Sequence, residues 1–301
     1  MLDLLQAAPH VRLQRGSTMV FKIGGACLAR PRLLQHLAEQ IAVIQAFGVQ
    51  PVIVHGGGPQ ADLLQQTLGE TPQKIDGRRI TSKTALRAVQ MSMLGDLNGA
   101  LAAALTEAGA RAIGLNVGTG NVVKARRRPP METSLGEIDF GEVGDVEEIQ
   151  PKPLHAILEA GCIPVVCPPV SDGKGGFLNV NADSLAASLA VALQADRLLF
   201  VTSVAGILHA TDQTVISALG LEELRNLQAE GALVDGMSVK AKAMEVALLG
   251  GVDQIHVVSG IDSHALLIEL YTNQGSGTLL TQSSPSLETS VDPSFAVFQA
   301  P

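Results

Sequence analysis

The chain has 301 residues, 46% hydrophobic and 17% charged, with a formal net charge of −8; that length supports one large core or two modest ones. The acidic balance excludes a protein that grips nucleic acid through its overall charge, and with no Trp and one Tyr there is no aromatic platform for stacking single strands. Three cysteines, Cys27, Cys162 and Cys167, are too few for a disulfide framework.

The opening MLDLLQAAPHVRLQRG has no basic leader and no long apolar run, so a cytoplasmic protein with no membrane span is expected. TMVFKI (18–23) reads as a strand, and Leu33, Leu34, Leu37, Ile41 and Ile44 recur at helical spacing. PVIVH (51–55) is a second strand, followed by GGG and a helix opened by Pro59, whose fixed φ suits a first helical turn. Residues 84–108 read as one or two helices and ARAIGL (110–115) as a strand. Residues 116–145 are rich in Gly, Pro and charge and suggest hairpins, with Arg126–Arg128 as a solvated loop. Strands follow at 163–168, 196–201 and 255–260, with helices at 183–193 and 239–249 between them. CIPVVC (162–167) puts Cys162 and Cys167 on opposite faces of a strand, and all three cysteines read as small buried residues. SDGKGG (171–176) is a turn and a candidate domain junction, and the Ser- and Pro-rich end, 282–301, is expected to be poorly ordered. Strand–helix–strand repetition predicts an α/β protein with a largely parallel sheet.

Two features carry chemistry. Lys22 lies in an apolar strand just before Gly24 and Gly25, a costly place for a charge unless an anion meets it. HGGGPQA (55–61) follows a strand and opens a helix, so its N–H groups and the helix N-terminus form an anion site. One reading is a dinucleotide-binding turn: Gly56, Gly58 and Ala61 satisfy G-x-G-x-x-A, and Asp76 lies roughly 20 residues on. The other is phosphoryl transfer, without a Walker A or protein-kinase signature, using Lys22, the glycine turns, Lys240 in DGMSVK, and Asn179, Asn181 and Asp183 in NVNADSL. Taken singly, Arg79 reads as a surface ion-pair partner, Asp183 as a helix N-cap, Lys240 as an exposed helical lysine and His55 as a buried, hydrogen-bonded residue.

In order, KIGG, VIVHGGGPQ, DGRRIT, LNVNAD and DGMSVK resemble the motifs of the amino acid kinase family, and specifically its branch acting on N-acetylglutamate, over nearly all of residues 1–281. The resemblance implies an α/β three-layer sandwich of two lobes: 18–172 for the amino-acid substrate and 173–281 for ATP. It implies ATP-dependent phosphorylation of the side-chain carboxylate of N-acetyl-L-glutamate, a step of arginine biosynthesis. Lys22 and Lys240 would neutralise the phosphoryl group, with Asp183 positioning them. Gly24, Gly25, Gly57 and Gly58 would offer N–H groups to phosphate, and Arg79 and Asn179 would bind substrate. Thr202, Ser203 and Gly206 would stand on the nucleotide side. Mg²⁺ would be held by ATP phosphates and water rather than by a protein metal site. Residues 1–17 resemble the N-terminal helix of arginine-inhibited hexamers, and 264–278 the matching segment, with His264, Glu269, Gly275 and Gly277 as arginine contacts; a homodimer is the other assembly, and a short frayed helix the other reading of 1–17. Ser203, Ala205, Asp96 and GLNVGTGN (114–121) depart from the usual pattern. These departures leave open a carrier-linked or other acidic amino acid as substrate, or a weakly active regulatory subunit.

Overall fold

A computed structural model describes residues 4–209, 212–233 and 236–283. The expectation for the C-terminal end falls, from residue 284 onward, outside the described residues.

Eight strands form one sheet: β1 (Thr18–Ile23), β2 (Gln50–His55), β3 (Ala112–Leu115), β4 (Ile163–Val166), β5 (Arg197–Thr202), β6 (Ala218–Gly220), β7 (Gln254–Ser259) and β8 (Thr278–Thr281). Their order is β6-β8-β7-β5-β1-β2-β4-β3, parallel throughout except where β8 runs antiparallel to β7. The period-2 pleat sorts the strand residues into two cores. Met19, Phe21 and Ile23 of β1 pack on one face with Leu37, Ile41, Leu101 and Leu266. Val20, Val54 and Phe200 pack on the other with Leu185, Leu189, Met244 and Leu248. The helices are α1 (Leu4–Gln14), α2 (Pro31–Ala46), α3 (Gly58–Thr67), α4 (Lys83–Val89), α5 (Asn98–Glu107), α6 (Lys152–Glu159), α7 (Ala182–Ala192), α8 (Leu221–Ala229), α9 (Gly236–Leu249) and α10 (Ala265–Tyr271). α1, α2, α5 and α10 cover the first face; α6 to α9 cover the second. The result is the expected three-layer α/β sandwich.

Several expectations need correction. Residues 84–108 are not plain helix: a π-helical stretch, Gln90–Leu97, separates α4 from α5. Arg126 and Arg127 are not loop residues but end a strand, Val123–Arg127, that pairs with Gly144–Ile149. Arg128 hydrogen-bonds Asp145 through Nε and Nη2. Cys27 and Cys167 are buried, but Cys162 is partly exposed, because it lies in the turn that feeds β4 rather than within the strand. α6 and α8, of eight and nine residues, escaped the periodicity reading because they are shorter than the window it needs. Among the described residues, no helix is long and apolar enough to cross a membrane.

Candidate active site

β1 lies near the middle of the sheet, flanked by β2 and β5. All three are parallel, so their carboxyl ends open on one edge, the usual crevice of such sheets. Lys22 stands there, in register with Val54 and Phe200, on the face toward α7 and α9. Its Nζ is 2.8 Å from Asp183 Oδ1. Lys240, from α9, places its Nζ 3.2 Å from Asp183 Oδ2 and 5.5 Å from the centre of the Phe200 ring. Lys22 and Asp183 are only 8% and 7% exposed. Burial alone would raise the Asp183 carboxyl, but the two ammonium groups outweigh it and hold the acid below its ordinary range. Burial lowers the Lys240 ammonium, against the pull of Asp183.

Asp183 is not the N-cap of α7. That role belongs to Asn181, whose side chain accepts from the N–H groups of Asp183 (2.8 Å) and Ser184 (3.0 Å). The capped first turn frees the Asp183 carboxylate for the two lysines.

The glycine turns meet face to face. A Cβ on Gly25 would lie 2.9 Å from Gly57 Cα, and one on Gly57 only 2.5 Å from Leu97 Cδ1. Gly25 therefore requires glycine, because backbone blocks a side chain there, whereas at Gly57 the Leu97 and Met93 side chains would have to move aside. Gly24 differs from its expected role, because its N–H donates to the Val201 carbonyl (3.0 Å); the Gly56 N–H likewise donates to Ile23 (2.9 Å). Among the described residues, the N–H groups of Gly25 and Gly57 have no protein acceptor, and Gly58 opens α3, where the first amides have no intrahelical one. These three are the candidate anion nest.

The nest is braced from beneath. His55 is fully buried, with Nδ1 2.9 Å from the Gly56 carbonyl and Nε2 3.3 Å from Asn98 Nδ2. A carbonyl only accepts, so Nδ1 carries the proton and the neutral Nε2 accepts from Asn98. Asn98 also donates to the Val165 carbonyl (3.0 Å). Burial lowers His55 to about 4.

A cleft of about 380 Å³ opens over these groups, lined by Lys22, Gly25, Gly57, Gly58, Asn179 and Asp183 among others. Arg79 also lines it, held by Asp62, by Gln65 Oε1 (3.1 Å) and by the Gly58 carbonyl (3.0 Å). Its ion pair is thus real, but it faces the cleft. Asn179 donates to Thr81 Oγ1 (3.2 Å). Thr202 ends β5, Ser203 and Gly206 follow it, and all three stand outside the lining. Lys74, Arg78, Met93 and Lys242 line the cleft too, without having been singled out from the sequence, and so does Arg128, which the sequence placed in a solvated loop. Asp76 is not placed to hold a ribose: it sits at a hairpin tip and accepts from Ser134 Oγ (2.6 Å) and N–H (3.0 Å).

His264, Glu269, Gly275 and Gly277 gather around α10, apart from the cleft. Glu269 Oε1 meets His256 Nδ1 at 2.7 Å, and Oε2 accepts from the N–H groups of Ser276 (2.6 Å) and Gly277 (2.8 Å). Burial pushes this carboxyl up, but those partners hold it low on balance. His264 begins α10 with a φ of 64° and an exposed side chain. α1 docks here rather than fraying: Gln14 Nε2 donates to the Leu270 carbonyl (2.6 Å), and His10 Nε2 is 3.0 Å from Asn273 Oδ1.

The chain is 40% identical to an acetylglutamate kinase of Myxococcus xanthus, over 93% of each chain. It is 35% identical to an acetylglutamate kinase of Methanococcoides burtonii, covering 92% of this chain and 93% of that one. An N-acetylglutamate synthase from Neisseria gonorrhoeae, solved with coenzyme A and N-acetyl-glutamate, superposes with a TM-score of 0.82 at 30% identity. That match covers 93% of this chain but only 62% of the synthase. The dinucleotide reading of HGGGPQA is overturned by these matches together with the placement of Asp76. Residues 17–259 match the amino acid kinase family, and with the buried lysine–aspartate–lysine trio beside a glycine nest, the chain belongs to that family.

Proposed function

We propose that the protein transfers the γ-phosphoryl group of ATP to the side-chain carboxylate of N-acetyl-L-glutamate. The observation that carries the reading is the pair of ammonium groups, Lys22 and Lys240, held on one buried carboxylate beside three available N–H donors. A carboxylate with a pKa near ~4.3 is ionised at pH 7, so the acceptor needs no general base. Its oxygen forms a bond to phosphorus while the bond to ADP breaks, and the electron pair leaves on ADP. Charge spreads over the equatorial oxygens in flight, and Lys22, Lys240 and the nest amides are arranged to receive it. Asp183 acts as a positioning residue for both lysines. Mg²⁺ would accompany ATP and offset part of its phosphate charge, held by the nucleotide and water; at Gly25 and Gly57, where a Cβ would collide with the surrounding protein, no side chain stands over the nest amides.

Residues 18–172 are assigned to the amino-acid substrate and 173–281 to ATP, with Arg79 and Asn179 on the substrate and Thr202, Ser203 and Gly206 toward the nucleotide. An ADP-release assay coupled to NADH oxidation tests the reaction. Turnover is expected with N-acetyl-L-glutamate and little with glutamate, N-acetylaspartate or N-acetyl-aminoadipate. No turnover with any of them would overturn the reading.

Arginine is proposed as a feedback inhibitor bound near His264, Glu269 and the Gly275–Gly277 turn, with α1 as a link between dimers in a hexamer. In support, α1 is anchored on α10 while Leu5 and Leu13 stand 85% and 82% exposed. Deleting residues 1–16 is expected to relieve arginine inhibition and to reduce the sedimenting species to a dimer. A hexamer that survives the deletion refutes the assembly part.

A further inference from the structure

Six cations line the cleft: Lys22, Lys74, Arg78, Arg79, Arg128 and Lys242. Four of them already hold a carboxylate: Lys22 on Asp183, Lys74 and Arg79 on Asp62, and Arg128 on Asp145. Arg79 has in addition committed donors to Gln65 and to the Gly58 carbonyl, so only part of its five-donor fork is left for a ligand. Arg78 and Lys242 are different: among the described residues neither makes a close ion pair, Arg78 acting on the exposed Asp76 only at longer range. The side-chain hydrogen bond of Arg78 is Nη1 on Met131 Sδ at 3.5 Å, and a thioether is a weak acceptor.

A cleft that takes in two anions and sheds water must meet their charge with donors that are not already neutralised. We propose that Arg78 and Lys242 are further substrate-binding residues, Arg78 taking the carboxylate of the amino acid that is not phosphorylated and Lys242 the polyphosphate of the nucleotide. This rests on the kinase reading above. The two residues stand on separate elements. Arg78 is on the hairpin strand Arg78–Arg79, next to the Arg79 that faces the same cleft. Lys242 is on α9, one turn beyond the cleft-lining Val239, while Lys240 of the same helix turns in to Asp183. The guanidinium fork suits a planar carboxylate, and a flexible ammonium suits a phosphate chain.

The test is a split of Michaelis constants, read with calorimetric titrations of N-acetyl-L-glutamate and ADP and a thermal melt of each variant. Arg78→Leu is expected to raise KM for N-acetyl-L-glutamate by about 10–100-fold, the loss of a charged bidentate contact, and to leave KM for ATP within about threefold. Arg78→Lys should recover part of the loss, since it restores charge without the fork. Lys242→Ala should raise KM for ATP about fivefold, as for an exposed ion pair, with a larger effect at low salt and an unchanged KM for the amino acid. If Arg78→Leu melts early, the Arg78→Lys titration alone decides, with undiminished affinity overturning the assignment. Wild-type turnover with unshifted constants in the variants overturns this proposal and leaves the kinase reading standing. Absent wild-type turnover overturns both.

Discussion

Replacing Lys22 by alanine is expected to lower kcat by about 10²–10³-fold, the loss that follows removal of one preorganised donor to developing charge. KM for either substrate should change far less, because the ammonium group matters most where the phosphoryl group is in flight. The fold should tolerate the change. Asp183 keeps Lys240 at 3.2 Å, so no buried charge is left alone. The contrasting variant is Asp183→Ala. It removes the shared counter-ion and strands two buried ammonium groups, a change of the kind that costs about 3–5 kcal/mol. Steady-state kinetics and urea unfolding on both variants separate the roles: a catalytic loss without a stability loss for Lys22, and both losses for Asp183. A near-normal kcat in Lys22→Ala removes that residue from the mechanism.

Stability should fall as the pH drops from about 6.5 toward about 4, and His55 is the cause. Its imidazole is buried and neutral, donating to Gly56 and accepting from Asn98, and burial lowers it from 6.5 to about 4. Over that window the unfolded chain binds a proton that the folded chain refuses, so acid favours unfolding. A shift of this size corresponds to about 3 kcal/mol. Below about 4 the folded state also protonates and the His55 contribution levels off, while the lowered Glu269 and Asp183 carboxyls give way in turn. Urea midpoints measured across this range provide the check. His55→Gln should flatten the profile while lowering stability at pH 7; an unchanged slope in that variant assigns the acid sensitivity elsewhere.

Much of this was legible in the linear chain. Alternating strands, the two glycine turns and the separated lysines carried the fold class, the family and the central trio, because each is a local pattern repeated in a set order. What escaped depends on distant partners. Whether the Gly24 N–H is available depends on a Val201 carbonyl that only sheet pairing brings near. Asn98 reaches His55 only because the π-helical stretch Gln90–Leu97 sets where α5 begins. Arg78 and Arg128 enter the cleft from small antiparallel pairs whose registers no short motif announces. That Asn181 caps α7 and leaves Asp183 to the lysines is likewise hidden from the sequence, since either side chain can cap.

One carboxylate serving two lysines has a consequence for the energy of the reaction coordinate. Lys22 is fixed by the strand at the middle of the sheet and Lys240 by a helix laid across it, and Asp183 couples them as one rigid dipolar unit with a net charge of one. In the proposed transfer, the field acting on the phosphoryl group is therefore created when the chain folds, not when the substrates arrive. Little dipole reorientation is left for the barrier to include. On that proposal strand and helices together serve as the solvent of the reaction, already polarised toward the charge that develops in transfer.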